Sequence, residues 1–154
     1  MSTIDVAVRT LHSITSAVWV GSVLFVTFGL LPAALDGSLN ASPLQGIVSR
    51  FRWLSRGCSA LLFFTGGHLA GTLYTVDSLT GSGRGHLVLT MLTLWFVLTG
   101  LVEVAGGKLD RGFDEQKVRS PAREAKPFLY AASVVAVLLL VDATLIVYGA
   151  GIVY

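Results

Sequence analysis

Four long segments without acidic or basic residues constrain this chain more than any other feature. Three of them cover residues 10–35, 57–76 and 85–102, and a fourth starts near Pro127 and is interrupted only by Asp142. A membrane-spanning helix needs about 20 apolar residues, whereas the strands of a transmembrane barrel alternate over about ten. We therefore predict an all-α polytopic membrane protein, a four-transmembrane-helix antiparallel bundle. The predicted helices of this single membrane domain, residues 1–154, cover about 8–34, 54–76, 85–106 and 127–150.

Composition supports the same class. Hydrophobic residues make up 53% of the chain and charged residues 13%, whereas about a quarter of the residues in an ordinary soluble domain are charged. The chain therefore lacks the polar surface that a globule needs in water. Its one cysteine, Cys58, excludes an intramolecular disulfide and a multi-cysteine metal cluster.

The basic residues predict the orientation. Arg9 and Arg84 lie on one side of the predicted membrane, and the other side holds Arg50, Arg52, Arg56, Lys108, Arg111, Lys117, Arg119, Arg123 and Lys126. Because basic residues favour the cytoplasmic side, we expect both termini outside a cell membrane that the chain crosses several times. The basic loops then face anionic lipid headgroups, and we expect no nucleic acid partner. The mixed residues 38–53 predict a short amphipathic piece along the membrane surface.

Three histidines and one carboxylate fall in the outer half of this predicted bundle: His12, His68, His86 and Asp142. Ionisable residues inside a membrane usually face the interior of the bundle and are usually functional. Inward imidazoles in a bundle can hold a metal ion or a haem. Asp142 could then hydrogen-bond to a histidine ligand and fix the orientation of its ring. The alternatives are a solvated helix start for His86, a core histidine bonded to a hydroxyl such as Ser16 or to Asp142 for His12, and a purely structural histidine for His68.

Small and aromatic residues accompany these histidines. Trp19 lies seven residues after His12, so the two share one helix face. Gly67 and Gly71 flank His68 in the run TGGHLAG, where small side chains let helices or a flat ligand approach closely. We therefore include Trp19, Gly67 and Gly71 among the residues beside the bound group, although packing or anchoring at the membrane interface is the more common role of such a tryptophan.

The first helix resembles a known family. The pattern His12-x6-Trp19-x-Gly21 is similar to the opening helix of the CopD family of copper-resistance membrane proteins. TGGHLAG, a short loop and a third helix headed by His86 are similar to that family's next two helices. The resemblance covers roughly 11–101. The wider superfamily includes the HemJ-type protoporphyrinogen oxidases, which carry a lysine where this chain has His86 and whose related four-helix core binds b-type haem.

The resemblance implies a role in copper uptake or homeostasis, with copper bound by His12, His68 and His86. Sulfur ligands suit copper(I), but Met91 is the only methionine within a predicted helix. The imidazoles fit copper(II), zinc or, alternatively, haem b in a membrane redox protein. A second alternative is a non-catalytic membrane subunit. We expect no enzyme activity, a lipid bilayer as partner, and a homodimer or a partner membrane subunit.

Overall fold

The chain forms long helices joined by short connections. The computed structural model describes residues 2–114 and 117–149, and every regular element in those residues is helical, which confirms the predicted all-α class. The helices are α1 (Thr3–Phe25), a π-helical segment (Val26–Leu30), α2 (Leu31–Asp36), α3 (Ala41–Leu73), α4 (Val76–Gly81), α5 (Gly83–Asp114) and α6 (Arg119–Tyr148).

Three helical stretches are long and apolar enough to cross a membrane: Thr3–Asp36, Gly83–Gly112 and Arg119–Tyr148. They support a multi-pass membrane protein. The helix α3 is 33 residues long, but it is not among the three. Three arginines, His68 and five glycines lower its hydropathy. The predicted second crossing therefore lies in the most polar of the four long helical stretches.

The long helices form a ring in which each packs against the next. Helix α1 contacts α3, α3 contacts α5, α5 contacts α6, and α6 returns to α1. Neighbours run antiparallel: His12 and Trp19 on α1 meet Thr65 and Ser55 on α3, in reverse order. The bundle thus has two ends. We call the end with the start of α1 and the helix α4 the α4 end, and the opposite end, where α6 begins, the basic end.

Packing between α5 and α6 depends on small side chains. Helices α5 and α6 contact each other closely, and four alanines of α6 are fully buried in the same core as large apolar residues of α5. Small residues let helix backbones approach closely, which favours association in lipid. The buried core residues of these two helices are Leu98, Val102, Ala105, Leu109, Ala122, Ala125, Leu129, Ala132 and Ala136.

The π-helical segment precedes a proline. Pro32 has no N–H, and its ring would clash with the carbonyl group four residues earlier in a regular α-helix. A π-helical turn adds one residue locally and changes the direction of the side chains that follow. Within this turn, the Thr27 hydroxyl lies 2.8 Å from the Val23 carbonyl oxygen and 3.3 Å from that of Leu129 on α6. The turn therefore faces α6.

The prediction of a surface-lying amphipathic piece at 38–53 is wrong. Helix α3 begins at Ala41 and continues without a break to Leu73. The apolar residues Leu44, Val48 and Phe51 recur at helical spacing and are buried in the protein core. They pack against protein, since Leu44 and Val48 share a small internal space with residues of α2, α5 and α6.

A group of charges joins α3 to α5 near the basic end. Arg52 pairs with both Glu103, at 3.2 Å, and Asp110. Two nitrogens of Arg56, Nε and one terminal nitrogen, each lie 2.8 Å from an oxygen of Glu103. Gly106 leaves room for Arg52, because a Cβ built on this glycine would lie 2.6 Å from the Arg52 Cδ atom. The two arginines and two acids balance in charge.

This geometry predicts different effects for alanine at two adjacent glycines. Alanine in place of a helical glycine stabilises by about 0.5–1 kcal/mol, and a Cβ at Gly107 meets nothing within 4 Å. We expect Gly107→Ala to raise the unfolding midpoint in detergent. We expect Gly106→Ala to lower it, since Arg52 must leave its two acids. Equal gains in both variants would show that Arg52 is not held there.

Candidate functional site

Three pairs of polar side chains connect α1 to α3. Asp5, His12 and Trp19 are spaced by seven residues, so they lie along one face of α1. Each meets a polar residue of α3, and we call this arrangement the polar ladder. Its pairs are Asp5–His68, His12–Thr65 and Trp19–Ser55. The ladder extends from the buried Trp19 to the partly exposed Asp5–His68 pair at the α4 end.

His12 is the central member of the ladder and is half-buried. Its Nδ1 atom lies 2.7 Å from the Thr65 hydroxyl oxygen. That hydroxyl also lies 2.7 Å from the Leu61 carbonyl oxygen, to which it donates its only proton. It therefore accepts a hydrogen bond from Nδ1–H of His12, which leaves a free lone pair on Nε2 of the neutral ring. A ring held in this way is prepared to bind a metal ion through Nε2.

The ring of His12 rests against a glycine. A Cβ built on Gly66 would lie 3.2 Å from the His12 Cε1 atom, closer than most Cβ contacts. Gly66 therefore lets the imidazole approach the α3 backbone. Gly67 and Gly71 would meet nothing within 4 Å with a Cβ. They lie on the open side of α3 and do not contact the ring.

His68 and Asp5 form the top of the ladder. The His68 Nε2 atom lies 3.5 Å from Asp5 Oδ1, and 41% of the His68 side chain is exposed. Asp5 is fixed by the start of α1, because its Oδ2 accepts a hydrogen bond of 2.8 Å from the Ser2 backbone nitrogen. Sequence reasoning missed Asp5 as a site residue. The seven-residue spacing Asp5-His12-Trp19 was the signal that could have found it.

His86 lies apart from the ladder. Its Nε2 atom is 2.8 Å from the Thr80 carbonyl oxygen, so this nitrogen donates its proton to the backbone of α4. The side chain is exposed at the start of α5. The structure thus brings His12 and His68 to the contact between α1 and α3 and places His86 at the exposed start of α5, beside α4.

Asp142 lies in the interior of the bundle on α6. It is 5% exposed, and its Oδ2 atom has no hydrogen-bond partner among the residues described. An unpaired buried carboxyl is costly in a membrane-spanning helix and often marks function. Within the described chain, no histidine is hydrogen-bonded to it. Trp19 is 1% exposed and belongs to both the core and the ladder.

The ladder offers two imidazoles and a carboxylate along one groove. Among residues 2–114 and 117–149, however, no group of three or more histidine, cysteine, aspartate or glutamate side chains is already placed to hold a metal ion. His12 Nε2 is open, and His68 and Asp5 are paired with each other. Nitrogen and oxygen donors of this kind suit copper(II) or zinc better than copper(I).

A cavity of about 470 Å³ opens on the other side of α3, between α3 and α5. It is lined by residues from the middle of both helices and contains none of the histidines. Its walls combine aromatic rings, hydroxyl groups and one ion pair. The lining residues are Ser55, Arg56, Ser59, Ala60, Phe63, Phe64, Trp95, Thr99 and Glu103. We call this cavity the α3–α5 groove.

Comparison with known proteins gave one match. The family model CopD, described as Copper resistance protein D, matches residues 45–150, more than half of the chain. No curated protein and no solved structure matches the chain. The matched residues include His68, His86 and Asp142 and leave out α1 with His12. The match confirms the family that the sequence resembles, and it extends through α6, beyond the residues on which the resemblance was based.

The ladder predicts a specific loss of stability. Valine at Thr65 keeps the shape of the side chain but leaves Nδ1–H of His12 without its acceptor. We expect Thr65→Val to destabilise by about 1 kcal/mol in detergent unfolding experiments. Thr72→Val is the matched control, because the Thr72 hydroxyl is exposed and bonds only to its own helix. Similar losses in both variants would show that the contact between His12 and Thr65 contributes nothing.

Proposed function

Because the chain belongs to the copper resistance protein D family, we propose that it handles copper through a histidine site at the α4 end of the bundle. The ion is cargo in this proposal, taken up or kept in balance across the cell membrane. The open Nε2 atom of His12 carries the proposal. The His12 ring contacts Thr65 of α3. His68 lies about one helical turn further along α3 and is paired with Asp5.

The donor set favours copper(II). Imidazole and carboxylate are borderline and hard ligands, whereas copper(I) prefers thiolate or thioether sulfur. Cys58 is buried on α3 toward the basic end, far along the helix from His68. We propose that His12 Nε2 and His68 bind the ion, and that Asp5 releases His68 and adds an oxygen ligand or a balancing charge. His86 remains outside this set.

We also propose that α3 is the fourth crossing and that the α4 end faces outward. Antiparallel contacts with α1 and α5 along the length of α3 support this placement. The arginines of α3 and the start of α6 then lie together on the cytoplasmic side, as the positive-inside rule favours. Many polar groups of α3 form contacts in the polar ladder or in the α3–α5 groove, so they lie against protein and not against lipid.

Copper binding tests the site. We expect detergent-purified protein to bind about one copper(II) ion per chain in competition titrations with a chelator of known affinity. His12→Ala and His68→Ala should each weaken binding at least tenfold, since each removes one ligand. His86→Ala is the matched control and should bind as the unchanged protein does.

Three results would contradict this assignment. They are absence of copper binding, an equal loss in His86→Ala, and Soret and α absorption bands in the purified protein, which would indicate haem. Copper content of cells that produce each variant then distinguishes handling from mere binding, and should change only where binding changes.

Cysteine labelling tests the topology. The native Cys58 is buried and gives a low background. Asn40, just before α3, and Gly81, the last residue of α4, are exposed at opposite ends of the bundle. In intact cells, a membrane-impermeant maleimide should label Gly81→Cys and not Asn40→Cys. After permeabilisation it should label both. Equal labelling in intact cells would show that α3 does not cross the membrane, and reversed labelling would show the opposite orientation.

A further inference from the structure

We propose that the α3–α5 groove binds one phospholipid with a zwitterionic, amine-bearing headgroup. The headgroup lies at the ion pair of Arg56 and Glu103, and one acyl chain lies along the aromatic wall formed by Phe63, Phe64 and Trp95. This site contains none of the proposed copper ligands and shares only Ser55 with the polar ladder.

The rim of the groove lies about one bilayer thickness from the α4 ends of α3 and α5. Glu103 follows Gly83, the start of α5, by 20 residues, which corresponds to about 30 Å of helix. Arg56 precedes the end of α3 at Leu73 by 17 residues, or about 26 Å. The hydrocarbon core of a bilayer is about 30 Å thick. If the α4 ends of both helices mark one interface, the ion pair lies at the other.

From this rim the groove runs toward the bilayer centre. Phe64 lies eight residues beyond Arg56 on α3, and Trp95 lies eight residues before Glu103 on α5. Eight residues correspond to about 12 Å of helix, so the aromatic wall lies within the hydrocarbon. The shape is therefore that of an amphiphile, with a polar group at one end and a long apolar part at the other.

The rim presents both signs of charge. Arg56 is 46% exposed and Glu103 is 34% exposed, although they pair with each other. Two nitrogens of Arg56 bond to Glu103, and the third, Nη1, has no hydrogen bond within the described chain and can donate to a phosphate oxygen. Arg52 does not add free positive charge, since it also pairs with Asp110.

This pattern distinguishes between headgroups. A primary ammonium group can donate to the exposed carboxylate of Glu103 while the adjacent phosphate accepts from Arg56. An anionic headgroup without an amine could bring its phosphate to Arg56, but it would offer no ammonium group to the carboxylate of Glu103 beside it. A quaternary ammonium has no N–H and cannot donate a hydrogen bond to the carboxylate. Charge complementarity therefore favours an ethanolamine-type headgroup.

The floor of the groove contains polar groups, but these groups already form hydrogen bonds within the protein. The hydroxyls of Ser59 and Thr99 lie 3.0 Å apart and bond to each other. Trp95 Nε1 donates to the Ser59 carbonyl oxygen at 3.2 Å, and Ser55 accepts from Trp19. The floor thus leaves few polar groups for a polar ligand to satisfy, and a cavity of about 470 Å³ is large enough for part of an acyl chain.

Native mass spectrometry of the full chain tests this site. The protein is placed in nanodiscs that contain equal amounts of phosphatidylethanolamine, phosphatidylglycerol and phosphatidylcholine, and is then released in detergent. We expect one retained phosphatidylethanolamine per chain, enriched at least fivefold over the other two lipids. Ala60→Trp fills the groove and should abolish this retention. Leu61→Trp, the adjacent residue outside the groove, is the matched control and should retain the lipid.

A second variant tests the headgroup. Glu103→Gln keeps the shape of the side chain and removes its charge, so phosphatidylethanolamine should lose its advantage over phosphatidylglycerol. Equal retention of the three lipids by the unchanged protein would overturn the proposal, as would normal retention by Ala60→Trp. The proposal would also be overturned if the unchanged protein formed dimers without bound lipid and Ala60→Trp dissociated them, because the groove would then bind a second copy of the chain. Ala60→Trp should bind copper as the unchanged protein does, because the groove contains none of the proposed copper ligands.

Discussion

Polar pairing on two sides of α3 is the interaction on which the bundle depends. In lipid the hydrophobic effect does not drive helices together, so packing of small residues and interhelical hydrogen bonds must do so. Helix α3 meets α1 through Ser55, Thr65 and His68. It meets α5 through its arginines and Ser59. The features that make α3 the least apolar of the long helical stretches are therefore the ones that hold its neighbours in register.

The sequence predicted those features that follow from length and charge. Long uncharged runs gave the helical class, and three of the predicted crossings lie in helices that are long and apolar enough to span a bilayer. The path of residues 38–53 was not predictable in the same way. A stripe such as Leu44, Val48 and Phe51 can face lipid headgroups or protein, and only the position of α2 and α6 decides which. The π-helical turn before Pro32 likewise depends on how α1 meets α6.

The candidate site shows which aspects of a side chain's position can be predicted from the sequence. Rise per residue gives the depth of a side chain along a helix, so several histidines could be placed near one end. Rotation about the helix axis depends on neighbouring helices, and it is rotation that separates His86 from the groove of His12 and His68. Asp142 is buried at a depth that counting residues anticipates, yet no hydrogen bond joins it to a histidine in the described chain. Asp5 was missed because it reads as a helix-capping residue, which it also is.

The polarity of α3 also has a consequence for how the protein is made. If α3 crosses the bilayer, as proposed, it enters with arginines and a histidine that an isolated helix would expose to lipid at considerable cost. Because α1 leaves the ribosome first, its imidazole and indole groups can already lie in the membrane when α3 arrives. Insertion of α3 would then be assisted by a helix made earlier and completed by α5, made later. The order of the helices in the chain thus supplies partners to α3 as it enters the membrane.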